Sequence, residues 1–240
     1  MINWLLGNSG LSYKHINNVF DLCDDPPKIL GVKDLESKNT DKDFTLILSY
    51  EDVDLSILDS IPGIRHEEEI LKDSKKIKVL LIRDPFNFFA SRLKMLSDMV
   101  EQGVQNPIQK IGWNGILKLW KMYAREYLGE TNFLGRKVTI NYNSWFTDSI
   151  YRNEIAERCL KIANQDKGLQ EVSEHGRGSS FDYLNFEGSA QKMEVTERWR
   201  YFLDNDLYLG LFRDAEILSL SDRIFGNTGG AKEISSRIGA

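Results

Sequence analysis

The chain has 240 residues and is 41% hydrophobic, enough for one large α/β domain with its own core, and its 28% charged content is ordinary for a soluble protein. A formal charge of −5 and a pI near 5.4 argue against a general nucleic-acid binder, which carries a basic excess, but leave room for a local basic pocket. Two cysteines, Cys23 and Cys159, are too few for a disulfide framework and offer no zinc spacing, so a reduced compartment is the simpler reading, with one isolated disulfide left open.

The opening MINWLLGNSG has no basic region and its apolar run is short, and nowhere does an apolar run reach the ~18 residues of a membrane span. A soluble, cytoplasmic protein is expected. Residues 2–6 read as a first strand, Gly7-Asn8-Ser9-Gly10 as a turn, and residues 12–22 as a helix with Ile16, Val19 and Phe20 on one face. Residues 24–42 are polar and read as a surface connection. FTLILS (44–49) is a buried-type strand ending at Tyr50-Glu51-Asp52, and Asp52 or Asp54 opens a short helix through Leu58. Pro62-Gly63 is a turn, and residues 67–71 read as helical.

Residues 78–94, KVLLIRDPFNFFASRLK, read as one unit. Residues 79–82 form a strand of the kind buried on both faces, Asp84 is an N-cap, and Pro85 suits the first helical position. Phe89, Leu93, Leu96 and Val100 recur at helical spacing. The junction therefore places Arg83 and a helix N-terminus at the carboxyl edge of a parallel sheet, where such sheets bind anions.

Gly103 to Pro107 breaks the chain. Residues 115–128 form an amphipathic helix, KVTINY (137–142) a strand, Ser144 a cap, and 150–163 a helix. Residues 164–182 are polar and hold HGRGSSFD; 193–202 and 207–225 read as helices. Strands alternating with helices predict a parallel sheet between helical layers, in a single domain over 1–225 with a Gly/Ser-rich tail over 226–240.

The 78–94 segment resembles the 3′-phosphate-binding segment of the sulfotransferase family: a strand, R-[DN]-P, then a serine on the helix, with Arg83 and Ser91 at the family's spacing. The resemblance implies a P-loop-like three-layer α/β sandwich with a central parallel sheet, in which Arg83 and Ser91 hold the 3′-phosphate of 3′-phosphoadenosine 5′-phosphosulfate (PAPS). Arginine offers a planar fork that matches phosphate. The plainer alternative is that Arg83 pairs with a carboxylate and Ser91 merely packs.

Other segments resemble family elements in order. Asn8-Ser9-Gly10-Leu11-Ser12-Tyr13 stands where the family has a phosphate loop similar to K-S-G-T-T-W. Asn8 replaces the loop lysine, and Lys14 is the nearest substitute; the alternative is an ordinary turn. Tyr142 stands where the family places a tyrosine beside adenine, or is an ordinary strand aromatic. Arg177, Gly178 and Ser179 resemble the loop that closes over the 3′-phosphate, without its paired lysine; a plain surface loop is the alternative.

Glu51, at the end of FTLILS and close to the family's catalytic histidine, is the first candidate general base. His66 is the second by chemistry, although Glu67 to Glu69 beside it also suit a surface histidine. Phe86, Phe88 and Phe89 suit an acceptor pocket or, more often, a core, and Trp113, Trp120 and Tyr123 suit sugar stacking or helix packing. No metal ligand set is visible, and the family's mechanism requires none.

The expectation is transfer of a sulfuryl group from PAPS to a hydroxyl, or second to an amine, of a small-molecule or glycan acceptor. Its rivals are a noncatalytic nucleotide-binding module on the same fold, kept open by the missing lysine, and an NTP-dependent kinase with a degenerate phosphate loop.

Overall fold

The computed structural model describes residues 4, 7–8, 12–17, 44–60, 72, 75–101, 103, 107–161, 164–172 and 180–239, with backbone alone at 12–17, 44–46, 59–60, 107–110 and 159–160. The fold mixes helices with parallel strands. Strand β1 (Ser12–Asn17) pairs in parallel with β2 (Phe44–Ser49), and β3 (Lys78–Ile82) pairs in parallel with β4 (Lys137–Asn141). Among the described residues these are two separate two-stranded pairs, where the sequence reading has one central sheet.

The N-terminal order departs from expectation. Trp4 is helical and residues 12–17 are a strand, the reverse of a strand at 2–6 and a helix at 12–22. Pairing with β2 gives the backbone of SYKHIN the partners that a helix would otherwise provide, and tertiary pairing overrides the helical spacing of its apolar residues.

Between β3 and β4 run helices α1 (Pro85–Glu101) and α2 (Pro107–Tyr127), the long crossover a parallel pair requires. Pro85 opens α1 and the Asp84 carboxylate accepts from Asn87 N at 2.9 Å, as a cap should. Phe89 and Leu93 face the core, but Val100 is 59% exposed, so the apolar stripe stops short of the helix end. Helix α2 begins earlier than expected and breaks at Gly112, whose φ of 64° lies in the left-handed region that glycine enters without a Cβ clash.

After β4 come α3 (Tyr142–Thr147) and α4 (Ser149–Leu160). Asn141, not Ser144, caps α3 by accepting from Ser144 N at 3.1 Å. The long helices expected over 193–202 and 207–225 are broken. A 3-10 turn spans Arg198–Phe202; α5 (Asp206–Gly210), a 3-10 turn Leu211–Arg213 and α6 (Ala215–Phe225) follow. Asn205 and Asp214 cap α5 and α6, which explains why one continuous helix does not form.

The expected tail instead carries α7 (Gly229–Ile238), capped by Thr228, with Ile234 fully buried. Its Gly230 abuts Phe86, where an added Cβ would meet ring and Cβ atoms at 3.2 Å. Glycine here permits close approach, so the composition that suggested a loose tail is a packing requirement.

Strand β3 buries one face only. Leu80 and Ile82 are 3% exposed, whereas Val79 and Leu81 are more than one-third exposed. Ile82 joins a core built from α1, α2, α5, α6 and α7, centred on Phe86, Phe89, Trp120, Phe212 and Ile217. Ile140 of β4 joins a second cluster with Trp4, Trp145, Ile155 and Leu169. The β3–β4 pair thus lies between two apolar clusters, with α2 against β3 and α3 and α4 against β4. No described helix is long and apolar enough to cross a membrane.

Candidate functional site

The end of β3 presents Arg83, and the first turns of α1 bring Ser91 back beside it. Arg83 Nη1 donates to Ser91 Oγ at 2.9 Å, and its Nη2 donates to the carbonyl of Val195. Trp120 on α2 donates from Nε1 to the Arg83 carbonyl at 3.0 Å, fixing the backbone below the guanidinium. The guanidinium carbon lies 5.4 Å from the ring centre of Tyr142, the first residue of α3. Arg83 Nε is buried without a hydrogen-bond partner.

A second arginine enters from the 3-10 turn. Arg198 Nη1 donates to the same Ser91 Oγ at 3.4 Å, and Nη2 donates to Asp182 Oδ2 at 3.0 Å. Its guanidinium also covers the Phe181 ring, 5.0 Å from the centroid. Only 8% of its side chain is exposed. Burial, and then the charge of Arg83 nearby, pull its pKa below the ordinary arginine value. Two guanidinium groups around one hydroxyl concentrate positive charge where Asp182 is the paired carboxylate. Beside them a cavity of about 230 Å³ is lined by Phe181, Asp182, Phe186, Lys192, Glu194, Arg198 and Tyr201, so two carboxylates and two cations share its wall.

The helix N-terminus itself is closed to an anion. Asp84, 1% exposed, occupies it as the cap, and its carboxylate also accepts from the side-chain amides of Asn87 and Asn143. The anion-binding potential of this junction therefore resides in side chains rather than in free helix N–H groups. The 195–196 backbone spans both sides: Val195 O receives Arg83 and Thr196 O receives Asn87 Nδ2 at 2.9 Å.

Of the sequence candidates, Arg83, Ser91 and Tyr142 come together. Tyr142 opens a helix rather than ending a strand. Asn8 is held elsewhere, donating to Trp4 O and Lys167 O and accepting from Gln165 N. Ser12, Tyr13 and Lys14 belong to strand β1, so a loop running through Ser12 and Tyr13 is corrected: their backbone is committed to β2. Ser9, Gly10, Leu11, His66, Arg177, Gly178 and Ser179 lie outside the described residues.

Glu51 is half-exposed and sits 3.8 Å from Arg92, which makes a closer pair with Asp52 at 2.9 Å. Ser91 and Arg92 are successive residues of α1, so one helix turn faces both the arginine pair and the Glu51 segment. Phe86 and Phe89 are buried in the core and Trp120 packs there too, so neither the Phe nor the Trp cluster is an open acceptor surface.

Sequence reasoning missed Arg198 and Asp182. Nothing in Glu197-Arg198-Trp199-Arg200 has a spacing relation to Arg83; only the chain's return across α1 brings them together. Among the described residues no group of His, Cys, Asp or Glu is placed to hold a metal ion. Comparison with family models, curated proteins and solved structures gives no significant match.

Proposed function

We propose that the Arg83–Ser91–Arg198 cluster binds the 3′-phosphate of PAPS and that the chain is a sulfotransferase acting on a hydroxyl, or second an amine, of a small-molecule or glycan acceptor. The observation that carries this reading is the convergence of two guanidinium groups on one serine hydroxyl. A phosphate monoester has oxygens enough to accept from both forks, and Arg83 Nε is a buried donor in need of an acceptor. Arg83 stands at the end of a strand, and helices pack against both β3 and β4, an arrangement compatible with the sulfotransferase reading.

PAPS would supply the sulfuryl group; the chain would hold the nucleotide, shield its charge and orient it. Glu51 is the proposed base, accepting the acceptor's proton from a half-exposed position next to Arg92. Binding is tested by titrating 3′,5′-bisphosphoadenosine into wild type and Arg83→Ala in a calorimeter. Loss of binding in the variant supports the site, and equal binding removes it.

One observation favours a second reading, a nucleotide-binding module without turnover. The side chain that replaces the loop lysine, Asn8, is engaged with Trp4, Gln165 and Lys167. Transfer of labelled sulfate from PAPS to any acceptor would eliminate this reading.

A further inference from the structure

Arg198 does not face the cluster unopposed. Its Nη2 donates to Asp182 Oδ2 at 3.0 Å while its Nη1 reaches Ser91. We infer that Asp182 is a built-in competitor for the anion site, a carboxylate that occupies one edge of the Arg198 fork and that an incoming phosphate must displace or share. This inference rests on the phosphate reading of the arginine pair.

Three features support it. First, Asp182 is held near Arg198 by contacts that do not depend on the ion pair. Its carbonyl accepts from Asn185 N at 3.0 Å, and the next residue, Tyr183, donates its hydroxyl to Asp98 on α1 at 3.0 Å. The carboxylate therefore stays close after it is displaced, and continues to compete. Second, both Arg198 and Asp182 line the cavity of about 230 Å³, so an anion entering there meets both groups. Third, Arg198 is mostly buried, with 8% of its side chain exposed, against 24% for Asp182. The arginine is the fixed partner and the aspartate the one with room to withdraw.

A carboxylate in this position lowers affinity for every anion, since it repels the ligand and takes up a donor. It thereby makes binding depend on a ligand that engages Arg83 and Arg198 together, because only the summed contacts outweigh the internal pair. A ligand limited to one guanidinium gains less than it loses.

The test is calorimetric titration of 3′,5′-bisphosphoadenosine and of inorganic phosphate into wild type and Asp182→Asn at low ionic strength. The variant is expected to bind bisphosphoadenosine about tenfold tighter and to gain at least as much for inorganic phosphate. Equal affinity in the two proteins, or weaker binding by the variant, overturns the inference and leaves the phosphate reading intact, because it shows that Asp182 is neutral or merely positions Arg198. Absence of binding to both proteins overturns the phosphate reading and the inference with it. If Asp182→Asn loses a cooperative thermal transition, Asp182→Ser serves the same comparison with the same outcomes.

Discussion

Arg83 and Arg198, far apart in sequence, donate to the same oxygen, Ser91 Oγ, at 2.9 and 3.4 Å. Like charges brought this close are costly unless something negative belongs between them. Among the described residues the local carboxylate Asp182 pairs with Arg198.

The pair should act as a unit. Arg83→Ala and Arg198→Ala are each expected to weaken bisphosphoadenosine binding by roughly tenfold to a hundredfold, the scale of a charge-assisted contact. The double variant should lose less than the product of the two, since each arginine positions the shared hydroxyl for the other. Calorimetric titration of the three variants measures the coupling.

Ser91→Ala should act more gently. It removes a neutral oxygen that links two donors, and binding is expected to fall by about three- to tenfold, with the melting temperature little changed. A loss as large as that of Arg83→Ala would place Ser91, rather than the arginines, at the centre of the site.

Part of the acid sensitivity should trace to Glu126, beside Asp54, Asp166 and Asp214, whose pKa values are also held below the ordinary carboxylate value. Glu126 is fully buried and paired with Lys137 at 2.6 Å. Burial pushes its pKa up, but hydrogen bonds from Lys137, Thr131 and the Leu134 and Phe133 amides outweigh that and hold it at about 2, against an ordinary 4.5. Because the folded pKa is depressed, the stabilisation is complete above about 4.5 and is lost as pH falls towards about 2. Glu126→Gln should flatten the stability–pH curve in that window, and Glu126→Ala, which strands the largely buried Lys137, should cost about 3–5 kcal/mol in urea unfolding.

The C-terminal helix should be part of the cooperative fold. Gly230→Ala would drive a Cβ into Phe86 and Trp199, with contacts of 3.2 and 3.3 Å, and is expected to cost about 1–3 kcal/mol by thermal or denaturant unfolding. An unchanged stability would show that α7 yields without disturbing the core.

The centre of the molecule was legible from local chemistry. Asp84 caps α1 and Pro85 opens it as their residue types dictate, whereas the pairing of Arg83 with Ser91 came from the family resemblance, and the two side chains are in contact. What could not be read depended on partners remote in sequence. Strand pairing with 44–49 made 12–17 a strand; the division of the late helices, by contrast, is local, since the Asn205 and Asp214 side chains accept from amides two or three residues on and cap α5 and α6. Arg198 carries no local signal at all, since its role arises from the 195–198 backbone passing over α1. The Gly/Ser composition of the tail suggested looseness because sequence shows a missing side chain but not the aromatic ring that fills its place.

The most direct measurement is a thermal-shift series with PAPS, 3′,5′-bisphosphoadenosine, ATP and GTP at equal concentrations. A ligand that binds only the folded chain raises its melting temperature by mass action. The expected result is a rise with PAPS and bisphosphoadenosine that is absent in Arg83→Ala, with little or no rise for ATP and GTP, which lack a 3′-phosphate. A larger shift with ATP or GTP, or a PAPS shift that survives Arg83→Ala, would contradict the assignment of the arginine pair to a 3′-phosphate.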